Sequence, residues 1–193
     1  MEQTAILKAT ADWVIAAMGE NDPAHAPQHV ERVVQLTKRL CAVYPSADPF
    51  RAELLAWLHD MNDDKLSSDR GLGAVEAFLR SIGTGEAEIR FVLAGIPYIS
   101  YRKHPKLDSS TPMEIRIVQD ADRIDAMGAL GVARTFAYGG ANDRSLEESL
   151  QHFNEKLLRL YDLLSTEEAK VIAKPRHEFL VSFYRQFRRE TAI

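Results

Sequence analysis

The sequence holds a single cysteine, Cys41, so no disulfide can form within the chain. Its place in an apolar helical pattern points to a buried thiol. Long apolar runs are missing too: none approaches the roughly 20 residues that span a bilayer. The opening Met-Glu-Gln-Thr has neither the basic stretch nor the apolar core of a secretory signal. No membrane partner is expected, and the cytoplasm is the expected compartment. Positive charge is not in excess, since 24 Lys and Arg stand against 28 Asp and Glu, for a formal net charge of −4. Extended nucleic acid is therefore not an expected partner, although a local basic pocket is compatible with that balance. Alternating strand-like runs, internal repeats, low-complexity stretches and long linkers are absent as well.

What is present is an ordinary globular composition, 46% hydrophobic and 27% charged over 193 residues, enough for one substantial core. Apolar residues recur at helical spacing nearly throughout. The expected fold is all-α, a compact multi-helix bundle forming one domain over 1–193, with a core of about 20–140 and a C-terminal helical extension of about 141–193.

Ile6, Ala9, Trp13 and Ala17 share a face of a first helix ending near Gly19. A second begins close to His29 with Val30, Val33, Val34, Thr37, Leu40 and Cys41 on one stripe, and stops before Tyr44-Pro45. Asp48-Pro49 caps a third, which carries Ala52, Leu55 and Ala56 toward His59 and Asp60 at its end. A short helix around Val75 to Leu79 precedes one from about Thr84 to Pro97. Thr111-Pro112-Met113-Glu114 reads as a capping box opening a helix through Asp122, and another helix around Gly131 to Tyr138 leads into a Gly139-Gly140 loop. Ser145 to Glu148 is a further box, before Leu150, Phe153, Leu157 and Leu164 on an inward face. Ser165 to Glu168 opens the last helix, which Pro175 should kink or interrupt.

Among the six histidines, His59 stands out because Asp60 follows it at the end of an apolar helix. Imidazole nitrogen and carboxylate oxygen together suit Mn²⁺, Fe²⁺, Zn²⁺, Co²⁺ or Ni²⁺. Three segments then occur in order: His25-Ala-Pro-Gln-His29-Val-Glu-Arg32, Leu58-His59-Asp60, and Gln119-Asp120-Ala121-Asp122-Arg123-Ile124-Asp125. In these the sequence resembles the HD superfamily, whose pattern is a His opening one helix, a His-Asp doublet ending another, and a downstream Asp. The resemblance implies one divalent ion held by His29, His59, Asp60 and Asp122, with Mn²⁺ first and Mg²⁺, Fe²⁺, Co²⁺, Ni²⁺ or Zn²⁺ as alternatives. Helical phase agrees with Asp122, because Asp125 shares its face whereas Asp120 lies about 200° away. Arg32, Arg123 and Asp125 are then expected to hold the ligands in place.

After the doublet, Met61-Asn62-Asp63-Asp64-Lys65 offers Asp63 or Asp64 as a general base and Lys65 as a phosphate ligand. Arg102 and Lys103, in Tyr98-Ile-Ser-Tyr101-Arg102-Lys103-His104, could clamp a polyphosphate, with Arg134 a further pocket residue. For each of these a solvated surface role is the competing reading, and His104 is left outside the ligand set. The resemblance extends through Val118 to Gly140 and His152 to Leu158, toward a bacterial branch that hydrolyses nucleoside triphosphates to release pyrophosphate. One departure is Ala26 after His25, where many relatives carry Asp.

The resemblance thus implies a metal-dependent phosphohydrolase of small nucleotides, with a nucleoside or deoxynucleoside triphosphate as the specific substrate and a homodimer allowed. A nucleotide monophosphatase, a cyclic-nucleotide phosphodiesterase and a non-catalytic nucleotide-binding module are the competing expectations.

Overall fold

The computed structural model describes residues 2–18, 27–61, 71–99, 101 and 107–191. Among the described residues all regular structure is helical: α1 (Gln3–Met18), α2 (Pro27–Cys41), α3 (Pro49–Leu58), α4 (Leu72–Ser81), α5 (Glu86–Ile99), α6 (Met113–Asp125), α7 (Gly128–Ala141), α8 (Leu146–Glu155) and α9 (Glu167–Thr191). Two short 3-10 turns, Leu157–Arg159 and Tyr161–Leu163, separate the last two.

The centre of the bundle is α3. It packs against α1, α2, α5 and α6, and Ala52, Leu54, Leu55, Ala56 and Leu58 are fully buried. A helix apolar on nearly every side has no stable place but the interior. Its start is set locally, since the Asp48 carboxylate accepts from the backbone N–H groups of Phe50 and Arg51, with Pro49 in the first turn. The α2 stripe from Val30 to Cys41 is buried as its periodicity predicts.

Other local readings are corrected by tertiary contacts. The buried row of α1 is Ile6, Thr10, Val14 and Met18, turned from the expected face because Trp13 stacks at the edge on Phe78 of α4, with ring centroids 4.3 Å apart. The Thr111-Glu114 capping box does not form: Pro112 caps α6 without a side-chain bond, and Glu114 instead accepts from the Asp48 backbone N–H at 2.8 Å. Gly139 and Gly140 lie inside α7, not in a loop. At Gly139 α7 approaches α8 so closely that a Cβ would collide with Ser149 Oγ. The Ser145-Glu148 box forms as expected, but α8 stops at Glu155, and Leu157 and Leu164 reach the core from the turns beyond it.

The start of α9 is not capped by its own box. Asp120 of α6 accepts from Ser165 N–H, Thr166 N–H and the Thr166 hydroxyl at 2.9, 2.8 and 2.8 Å. Once begun, α9 carries Pro175 in its interior and lies along α6 and α7. No helix among the described residues is long and apolar enough to cross a membrane.

Candidate metal centre

Three helix ends converge at one end of the bundle. His29 is in the first turn of α2, His59 is the C-terminal cap of α3 with Asp60 next to it, and Asp122 and Asp125 are in the last turn of α6. The contacts of α2 with α3 and α6, and of α3 with α6, bring these ends together.

Each imidazole has one nitrogen committed. His59 Nδ1 lies 2.7 Å from the Ala56 carbonyl, an oxygen near the helix end where intrahelical partners run out. His29 Nδ1 lies 2.7 Å from Asp125 Oδ2. These bonds orient both rings so that each Nε2 faces the two remaining carboxylates. His29 Nε2 is 3.5 Å from Asp60 Oδ2 and 3.4 Å from Asp122 Oδ1. His59 Nε2 is 3.3 Å from Asp60 Oδ1 and 3.9 Å from Asp122 Oδ1. His59 Nε2 is also buried with no hydrogen-bond partner, a costly condition that a bound cation would relieve.

Ligand atoms bound to one ion at about 2.0 to 2.2 Å lie about 3 to 3.6 Å apart. The observed spacings are close to that range, and one ligand atom each from His29, His59 and Asp122 lies within 4.8 Å of the others. The donor set of two imidazoles and two carboxylates fits a borderline divalent cation. The two imidazoles form a buried floor, while the Asp60 and Asp122 side chains remain 23% and 27% exposed, leaving the carboxylate side open to water and ligand.

Electrostatics tie the cluster together in the metal-free state. Burial alone would depress His29, but hydrogen bonds to Asp122 and Asp125 and the charge of Asp60 prevail and push it up to about 9. Burial would raise Asp122, yet its bond to His29 and the charges of His29, His59 and Lys156 hold it well below the usual carboxylate range. Asp125 resists burial in the same way, through His29 and Arg32, and falls to about 2.

No known family profile matches the chain, but individual relatives do. It is 35% identical to YpgQ of Bacillus subtilis over 186 residues, which cover 92% of this chain and 90% of the relative. The solved structure of YpgQ in complex with ADP superposes with a TM-score of 0.85 at 30% identity, covering 100% of this chain and 98% of that one. An HD-superfamily hydrolase from Bacillus thuringiensis gives a TM-score of 0.78 at 34% identity, with 98% of each chain covered. The chain belongs to the HD superfamily.

In this HD chain the remaining motif residues have distinct places. Asp125 is 1% exposed and saturated: Arg32 donates to it through Nε at 2.6 Å and Nη2 at 3.0 Å, and Arg134 Nη1 donates at 3.1 Å. Both arginines are partly exposed. Arg123 is buried, and its Nη1 donates to the Leu163 carbonyl at 2.5 Å. Asp120, on the other side of α6, serves α9 as described above. His25, Ala26, Asp63, Asp64, Lys65, Arg102, Lys103 and His104 lie outside the described residues.

The stretch from His152 to Leu158 that carries the wider resemblance holds one cation, Lys156. Just past the end of α8, Lys156 lies with its ammonium 5.4 Å from the Tyr101 ring centroid, and its positive charge helps to hold Asp122 below the usual carboxylate range. The return of the chain after α8 brings it over that ring.

Proposed function

We propose that this HD protein is a divalent-metal-dependent phosphohydrolase of small nucleotides, cleaving nucleoside or deoxynucleoside triphosphates to the monophosphate and pyrophosphate. The observation that carries the reading is the pair of imidazoles, each fixed through Nδ1, whose Nε2 atoms share one space with Asp60 and Asp122. His29, His59, Asp60 and Asp122 would hold the ion, with Mn²⁺ the first to test. When bound, such an ion supplies Lewis acidity toward water and a phosphoryl oxygen. The ADP in the related YpgQ structure supports a nucleotide as the ligand class.

The chain's own groups divide the remaining work. Asp125 keeps the His29 ring oriented and its Nδ1 occupied, while Arg32 neutralises Asp125. Arg134, anchored on Asp125, presents a guanidinium suited to a phosphate. Asp63 or Asp64 takes a proton from the attacking water, and Lys65, Arg102 and Lys103 pair with the polyphosphate. Water oxygen bonds to the α-phosphorus, and the α–β bridging bond breaks with its electron pair leaving on pyrophosphate.

The test is metal analysis of the purified protein followed by a nucleotide panel with product identification. Stoichiometric metal, with equal amounts of monophosphate and pyrophosphate, is expected. Orthophosphate alone would move the assignment to a phosphatase, and ring-opened monophosphate from a cyclic nucleotide to a phosphodiesterase. Nucleotide binding without turnover in any of several cations would leave a regulatory module.

A further inference from the structure

Asp122 and Asp125 stand in the last turn of α6, where backbone carbonyls run out of intrahelical partners. The Ile124 carbonyl, between them in sequence, is met from another helix. Arg176 of α9 donates to it through Nη1 at 2.8 Å, beside the Met127 backbone N–H at 3.2 Å. Both acceptor sites of that carbonyl are thus filled, and a guanidinium at a helix C-terminus is favoured by the helix dipole as well. Among the described residues Arg176 pairs with no carboxylate; the α6 carbonyl is its partner.

The turn after α6 is shaped to admit this arginine. Gly128 has φ +76°, a left-handed conformation that side chains disfavour, and a Cβ there would lie 3.2 Å from both Cβ and Cγ of Arg176. The arginine stem therefore occupies the space that a side chain at 128 would need. At Gly131 a Cβ would collide with the Ala126 carbonyl, so the first turn of α7 sits directly on the end of α6. Further along α7, Arg134 returns through Nη1 to Asp125 Oδ2 at 3.1 Å. The angle between α6 and α7, and with it the run of bonds from Arg134 through Asp125 to His29, is set at the joint that Arg176 closes.

We propose that Arg176 is a positioning residue of the metal centre. By holding the Ile124 carbonyl and filling the space over Gly128, it fixes the last turn of α6 so that Asp122 and Asp125 meet His29 in the geometry a cation needs. It stands outside the three HD segments and acts through the α6 backbone. The inference rests on the metal-binding reading above for the ion, while the alignment of Asp125 with His29 that it explains is present without one.

The sign of the effect separates positioning from charge. Removing a nearby positive charge should by itself tighten a divalent cation, whereas loosening the α6 turn weakens it. The experiment uses full-length protein and measures Mn²⁺ affinity by competition against a chelator. Arg176→Met keeps the stem beside Gly128 and removes the donor. It should weaken Mn²⁺ binding by about three- to tenfold, less than the roughly 10- to 100-fold typical of a residue bonded directly to a ligand. Arg176→Lys, which restores a donor and the charge, should recover part of the loss. Arg116→Met is the control, because Arg116 makes the same kind of bond, from α6 to the Ser165 carbonyl at 2.9 Å; it should lower the melting temperature without moving Mn²⁺ affinity. In metal-free protein the His29 Nδ1 proton shared with Asp125 should give a strongly deshielded NMR signal that shifts or broadens in Arg176→Met but not in Arg116→Met. Unchanged or tighter Mn²⁺ binding by Arg176→Met overturns the proposal, as does an equal loss in Arg116→Met. If Arg176→Met does not fold, Arg176→Gln is judged by the same measurements. Wild-type protein that binds no divalent ion would sink the metal reading; Arg176 is then judged on the His29 proton signal, and a signal indifferent to the substitution overturns its role.

Discussion

The two sides of α6 carry the same residue type to opposite ends. Asp122, toward α2 and α3, has a partly exposed carboxylate facing two imidazole nitrogens. Asp120, toward α9, is fully buried and accepts three hydrogen bonds from Ser165 and Thr166. On the same side Arg116 donates to the Ser165 carbonyl, and Arg123 to that of Leu163. A carboxylate whose acceptor sites are filled by protein donors is structural, whereas one left open to water retains capacity for a ligand. The difference teaches that helical phase separates the two aspartates, and that one helix both presents a candidate metal ligand and clamps the C-terminal helix behind it.

The largest effect that could break this comparison is on metal binding. Asp122→Ala should abolish stoichiometric metal and reduce hydrolysis to background, while the metal-free protein still folds and loses only the part of its stability that the His29 pairing supplies; metal analysis, kinetics and a melt check it. Asp120→Ala should do the reverse, retaining metal while losing about 2 to 4 kcal/mol of stability in denaturant titration, because buried donors at the start of α9 lose their acceptor. Equal losses of metal in both variants would remove the distinction.

Asp125→Asn sharpens the picture between these extremes. The His29 ring keeps its shape but loses a charged partner, so metal affinity should fall by about 10- to 100-fold without vanishing. A competition titration with a chelator reads that shift.

Proton linkage is the smallest effect, and its sign differs between the partners. His29, raised from 6.5 to about 9, stabilises the metal-free fold fully below its unfolded value, and that contribution is lost as pH rises through about 9. Asp125, lowered from 3.8 to about 2, contributes above its unfolded value and loses that as pH falls through about 2. The metal-free cluster is therefore most stabilising between roughly pH 4 and 6.5. A metal requires neutral imidazole, so binding between those two His29 values should release close to one proton. Calorimetry in buffers of different ionisation enthalpy measures it, and no proton release would contradict the His29–Asp122 geometry.

By itself the sequence determined the helical class, the buried stripe of α2, the Asp48 cap and the Ser145 box, which depend on spacing within one or two turns, where periodicity and capping act locally. The phase of Asp122 against Asp120 was legible for the same reason. The residues that meet at the centre were legible through the resemblance to the HD superfamily, since they stand on separate helices. Tertiary structure alone decided the rest. Trp13 stacking turned the buried face of α1, Glu114 left its own helix for Asp48, Gly139 became a packing site, and Asp120 replaced a local cap for α9. Lys156 belongs with these, since its position over Tyr101 follows from where the chain returns after α8. Local rules state what a side chain can bond; which partner it finds depends on contacts between segments far apart in sequence, and only packing brings those together.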